Sequence, residues 1–216
     1  MIKGDLKTEV YAKLRSRIVN FTLLPGDRVS DKEIAAELNI SRTPVREALI
    51  RLAGEGLLQS VPNRGFRVRV FTIKEIEDLY TLRESLEILA IRLATPRLDE
   101  IRIRGMRNLM LSYPRLIDAK DLAGFNKADE EFHHTIAQYS ENALLEQTLS
   151  NLYGQVRIIR RYQHLSANSF TETVDDHGRI MEHMIRGEIE PAQQIMSDHI
   201  MGSMQHIVTF VRESVK

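Results

Sequence analysis

Apolar residues recur at helical spacing along most of the chain and alternate at period two in one stretch. Val10, Leu14 and Ile18 mark one face of a helix over residues 5–20, and Pro25 and Gly26 close it off. Ser30 and Glu33 form an S-x-x-E capping box that opens a second helix through DKEIAAEL. Ser41 can cap a third, running to about Ala53. Pro44 is tolerated in its first turn, where amides lack intrahelical acceptors, and Gly54 and Gly56 end it. In LLQSVPNRGFRVRVF, Phe66, Val68 and Val70 alternate with Arg67 and Arg69, and PNRG reads as the turn between two strands. Three helices and a hairpin predict a winged helix-turn-helix over residues 1–71.

Beyond Phe71 the strand signal disappears. Thr72 and Glu75 form another capping box, opening a helix that Pro96 stops. Further periodic stretches lie at 98–112, 121–139, 142–165, 170–187 and 191–213, with Asp121 positioned to cap one of them. The chain is therefore expected to be mainly α, with a six-helix all-α bundle over residues 72–216 following the DNA-binding fold.

Composition narrows the partners. The 216 residues, 43% hydrophobic and 28% charged, suffice for one or two cores. No run approaches the roughly eighteen apolar residues of a membrane span, and MIKGDLKTEV lacks the apolar segment of a secretory signal, so a cytoplasmic protein without a membrane partner is expected. Without cysteine, any metal must be held by His, Asp or Glu. The net charge of zero hides an asymmetry: residues 1–70 hold 13 Lys and Arg against 8 Asp and Glu, and the remainder 17 against 22. The basic front part is the candidate for a polyanion.

The third helix carries that chemistry at its start. Arg42 and Arg46 are four apart and share a face, and an arginine can pair with both O6 and N7 of guanine. Thr43 can reach a phosphate or a thymine methyl, while Val45, Leu49 and Leu52 lie on another side and anchor the helix. The competing reading is a solvated helix whose Arg46 pairs with Glu47 or Glu55 nearby. The run S-R-T-P-V-R-E-A-L, with LPGDRVSDKEIAAEL before it and RLAGEGLLQSVPNRGFRV after it, resembles the DNA-binding domain of the GntR family of bacterial transcription regulators. The resemblance implies DNA contacts by Lys32, Arg42, Thr43 and Arg46, and by Arg64 and Gly65 in the wing. A lysine at 32, where the family more often has arginine, lacks the planar fork and suits a phosphate. A homodimer on a short pseudo-palindromic operator in double-stranded DNA follows, with repression the expected outcome.

In the second part, Asp129 and His133 stand four apart, so about 400° of helical rotation brings them to one face. His134 lies about 140° away from Asp129. Among His177, His183, His199 and His206 geometry alone does not choose. Asp129-x-x-x-His133, then His177-x-x-Ile180 ahead of Gly187 and Glu188, then Met196-x-x-His199-Ile200, resembles the FCD effector domain of the FadR branch of that family. The resemblance implies that Asp129, His133, His177 and His199 hold one divalent ion, a donor set that suits zinc, nickel, manganese or iron. YSENALL departs from the family, which has a small residue and glycine there.

Arg83 shares an apolar stripe with Ile76, Leu79, Leu86 and Ala90 and needs an anionic partner. That partner is either Glu87, four residues on, or the carboxylate of a small organic-acid effector, which the family often binds with an arginine of this helix. Two rival functions use the same residues: a sensor for which the ion is the signal, and a metal-dependent hydrolase. The hydrolase needs a general base, and no H-E-x-x-H or comparable arrangement supplies one, so no enzyme is expected.

Overall fold

The computed structural model describes residues 6–20, 22–62, 64–160 and 167–214. Ten α-helices and three strands are present among them: α1 (Leu6–Val19), β1 (Arg28–Val29), α2 (Asp31–Leu38), α3 (Arg42–Gly54), β2 (Leu58–Val61), β3 (Gly65–Val68), α4 (Ile73–Ala94), α5 (Glu100–Met110), α6 (Tyr113–Asp118), α7 (Leu122–Tyr139), α8 (Ala143–Ile159), α9 (Ala167–Ile185) and α10 (Ile189–Ser214). They fall into two compact units, Met1–Thr72 with Gly154–Arg161, and Ile73–Tyr153 with Tyr162–Lys216.

In the first unit the expected caps form where local chemistry provides them. The Ser30 hydroxyl accepts from the Glu33 amide, whereas Ser41 sits at the N-cap of α3 without a side-chain bond. At the end of α3 the helix closes through Gly56, whose φ of +73° suits glycine, with Leu57 N–H bonded back to Leu52 O. Val10, Leu14 and Ile18 of α1 are buried, as are Val45, Leu49 and Leu52 of α3. The β2–β3 hairpin alternates as expected as far as Val68, which is buried, but β3 ends there and Val70 stands exposed; Asn63 of its turn lies outside the described residues. Two-residue strand β1 was not expected; it pairs antiparallel with β3, giving the order β1-β3-β2. Its pairing is too short to leave a periodic signature.

The second unit is helical throughout. α10 packs on α4 and α9, and α4 on α7. Gln193 Nε2 donates to Ile88 O at 2.9 Å and Ser197 Oγ to Glu84, tying α10 to α4. Asp121 caps α7 as expected, accepting from Gly124 N–H. Positions 161–165 of the helix expected over 142–165 lie outside the described residues. One helix beyond the expected six appears. The stretch over 98–112 stops at Met110, and α6 begins separately with Pro114 in its first turn, because proline cannot donate to a continuing ladder. α6 places Tyr113 against Phe125 and Ala128 of α7 in a buried cluster, with Phe170 and Val174 of α9 packed on it.

The departure at YSENALL has a local account. Glu141 takes φ +55°, a conformation that favours glycine, while its carboxylate pairs with Arg97 and Arg102. Those ion pairs hold a side chain where the backbone alone would prefer none.

Candidate functional site

In the first unit, α2, α3 and the hairpin present the expected cationic groups to solvent. Arg42, Thr43 and Arg46 stand exposed in the first turns of α3, while Pro44, Val45 and Ala48 of the same turns are buried. Lys32 is exposed on α2, and Arg64 and Gly65 at the hairpin. Gly65 has φ +83°, and a Cβ there would meet Val29 O at 3.3 Å, so the turn needs glycine for its conformation and for its approach to β1. The acids that could have claimed Arg46 are engaged elsewhere. Glu47 pairs with Lys7 at 2.7 Å, and Glu55 accepts from the Tyr11 hydroxyl at 2.8 Å and from Arg51 at 3.2 Å. Among the described residues Arg46 and Lys32 make no ion pair, whereas Arg42 Nη2 donates to both oxygens of Asp31, at 3.0 and 2.9 Å.

In the second unit three helices converge on one point. Asp129 and His133 come from successive turns of α7, His177 from α9 and His199 from α10; all four are buried, and one ligand atom from each lies within 4.8 Å of every other. His183 instead pairs with Glu188 at 2.6 Å, and His206 is exposed, which resolves the choice that spacing left open. The rings are closely packed. His177 stacks on Phe132 with centroids 3.9 Å apart, and the three imidazole centroids are 4.9 to 5.4 Å from one another.

Each imidazole has an outer partner at Nδ1. His133 Nδ1 bonds Glu87, His177 Nδ1 bonds the Tyr113 hydroxyl at 2.9 Å, and His199 Nδ1 faces Asp176 at 3.4 Å. An Nδ1–H given outward leaves the Nε2 lone pair facing the centre. There, Nε2 of His133 and of His199 are buried without a hydrogen-bond partner among the described residues, and His177 Nε2 is 3.7 Å from Asp129 Oδ1. Buried polar atoms are normally bonded, so inward lone pairs beside a carboxylate fit a divalent cation.

Behind His133 lies a buried chain of charge. Arg83 Nε donates to Glu87 Oε1 at 2.6 Å, and Glu87 Oε2 bonds His133. Burial pushes the Glu87 carboxyl up, but His133 and the permanently charged Arg83 more than reverse this and hold it below the usual range. Burial lowers the His133 pKa more than Glu87 raises it, which favours the neutral ring that metal ligation needs. Arg83 therefore has the Glu87 partner that its sequence position allowed. Tyr80 and Tyr153 flank it, each ring centroid 5.7 Å from its guanidinium carbon. The Tyr80 hydroxyl is buried without a hydrogen-bond partner among the described residues, and the Tyr153 hydroxyl is buried beside Glu87. Burial, then Glu87, raise the Tyr153 pKa well above normal, keeping its proton in place.

Sequence reasoning missed Glu87 as an outer partner of His133, and Tyr113, Asp176, Tyr80 and Tyr153 altogether. A signal for Glu87 existed: an acid one turn from Arg83 on an otherwise apolar face.

Comparison with known proteins decides the family. Residues 6–68 match the model of bacterial regulatory proteins of the gntR family, and residues 78–202, more than half the chain, match the FCD domain. The chain belongs to the GntR family, with an FCD domain. It is 38% identical over 144 residues to the Nta operon transcriptional regulator of Aminobacter aminovorans, covering 66% of this chain and 67% of that protein. It is 27% identical over 194 residues to the HTH-type transcriptional repressor RspR of Escherichia coli, covering 89% and 84%. The solved structure of E. coli McbR/YncC shares the fold with a TM-score of 0.82, covering 98% of this chain and 99% of that one at 20% identity. This GntR member is thus a DNA-binding transcriptional regulator, and its FCD domain contains a His/Asp set able to hold a metal. No helix among the described residues is long and apolar enough to cross a membrane.

Proposed function

We propose that this regulator is a cytoplasmic, homodimeric repressor, without enzymatic activity, whose affinity for a pseudo-palindromic operator is set by a small monocarboxylate at the FCD metal site. The observation that carries the reading is the convergence of Asp129, His133, His177 and His199 with inward-facing nitrogens on a single buried point. Zinc, nickel, manganese and iron all suit these donors. Lys32, Arg42, Thr43, Arg46, Arg64 and Gly65 form the DNA-facing set, and their exposure supports this. RspR, named a repressor, supports the sign of regulation.

Charge selects the effector class. Among the fully buried groups Asp129 and Glu87 carry one negative charge each, Arg83 one positive and a divalent ion two, a surplus of one positive charge that the part-exposed Asp176 beside His199, screened by water, offsets only in part. A monocarboxylate neutralises it, and a buried charge needs such compensation. Its carboxylate would lie beside the ion and Arg83, with further oxygens on the Tyr80 and Tyr153 hydroxyls. Arg83→Ala is a poor test of effector binding, because it also strips Glu87 of its buried counter-ion. Tyr80→Phe and Tyr153→Phe leave that pair intact.

The test combines elemental analysis of purified protein, thermal shift with mono- and dicarboxylic acids, and affinity for a duplex selected by the protein from a random pool. The expected result is one ion per chain, and a hydroxylated monocarboxylate that raises Tm and weakens duplex binding in the wild type but less in Tyr153→Phe. Metal content unchanged in a His133→Ala, His199→Ala double variant would overturn the metal half. Duplex affinity that follows the ion alone, indifferent to any acid, would replace the effector with the ion as signal.

A further inference from the structure

Arg42 is not idle in the free protein. Its Nη2 spans both carboxylate oxygens of Asp31, the first residue of α2, at 3.0 and 2.9 Å. An arginine can offer guanine two kinds of fork, side-on through Nε and Nη2 or end-on through Nη1 and Nη2. Both include the nitrogen that Asp31 holds. Reading a guanine with two bonds therefore requires Arg42 to share or surrender that nitrogen.

We infer that Asp31 tempers base recognition by competing with DNA for the Arg42 fork. The inference rests on α3 being the helix that meets the major groove. Magnitudes decide the competition. The Arg42 side chain is 61% exposed and that of Asp31 20%, and an ion pair open to solvent on one side shifts an equilibrium by no more than about fivefold. A bidentate arginine–guanine contact discriminates against other bases by about 5- to 150-fold, so guanine can win the nitrogen where the others do not. Adenine offers one acceptor at N7 beside a donor, thymine one acceptor, and cytosine a donor, so none repays both bonds. At a wrong base Arg42 stays with Asp31, so breaking the pair counts against the guanine complex alone and narrows the gap between right and wrong bases, while the carboxylate near the phosphates weakens binding to every duplex. Asp31 acts through Arg42 and is a positioning residue. Arg46, with no ion pair among the described residues, reads without such a competitor and serves as the internal control.

The test uses full-length wild type, Asp31→Ala and Asp31→Asn, each selected against a random duplex pool, with affinities for the wild-type winner and for an unrelated duplex measured alongside. Arg42→Ala identifies the base pair that Arg42 reads, and Arg46→Ala its counterpart. Both Asp31 variants are expected to sharpen the preference at the Arg42 base by up to about fivefold, leave the Arg46 base unchanged, and bind the unrelated duplex several-fold more tightly. Because Asp31→Asn keeps the shape of the side chain and removes only its charge, agreement between the two variants excludes a folding defect as the cause. A relaxed or unchanged preference at the Arg42 base, or an equal change at both bases, overturns the proposal. A wild type that enriches no duplex at all defeats the DNA reading beneath it, a separate and recognisable failure.

Discussion

The two units carry their functional groups in opposite ways. On the first, Lys32, Arg42, Arg46 and Arg64 are exposed and Arg42 has one loose partner; in the second, Asp129, His133, His177 and His199 are buried and wired to further buried groups. Exposed cations can be altered one at a time, because water compensates each. Buried ones cannot, since every group there counts on its neighbour. The sharpest contrast should come from Glu87, which touches no metal-facing atom yet joins Arg83 to His133. Glu87→Ala leaves a guanidinium buried without its acid and should cost about 3–5 kcal/mol, read as a lower urea midpoint for the second unit. A loss under about 1 kcal/mol would mean that water replaces the carboxylate, and the contrast would collapse.

A milder change separates wiring from stability. Glu87→Gln keeps the shape and can still accept from His133 Nδ1, but it removes the charge that makes that ring a strong donor. Metal affinity should fall about 10- to 100-fold, measured by competition against a chelator of known strength, while stability falls less than in Glu87→Ala because the amide oxygen still accepts from Arg83 Nε. Equal affinity in the two proteins would show that Phe132 stacking and the α7 backbone suffice to aim His133.

The same contrast explains what the residues foretold. The caps at Ser30 and Asp121, the hairpin and the order of helices were legible because each is a local arrangement, settled within a few residues of sequence. Ligands on α7 were half legible, since Asp129 and His133 share a helical face. The outer partners were not, because Tyr113 meets His177 across 64 residues and Glu87 meets His133 across 46, and only packing brings them together. β1 and α6 escaped for another reason: two residues and six residues are too few for a period to declare itself.

On the exposed side the largest effect is expected from Arg46. Arg46→Ala should cost about 1–3 kcal/mol of discrimination at one base pair, seen as a relaxed preference there when variant and wild type are selected against the same pool. Thermal stability and metal content should stay unchanged, because the side chain makes no ion pair among the described residues. A drop in Tm of more than a few degrees would instead mark Arg46 as part of the fold.

Lys32 should give the smallest effect and the cleanest signature. Its ammonium is a point charge on the second position of α2, without the planar geometry that lets arginine recognise a base edge. If it meets a phosphate, Lys32→Ala should weaken the selected and the unrelated duplex by the same factor, since backbone contacts carry no sequence information. One fewer counterion would then be released, so the slope of log affinity against log salt should shrink by about 1. Lys32→Arg should restore the slope. If it also sharpens a base preference, the fork that lysine lacks has found a base edge, and the position reads sequence whenever its chemistry allows. If Lys32→Ala leaves the slope untouched, this lysine lies outside the DNA footprint, and the exposed surface that matters is confined to α3 and the hairpin.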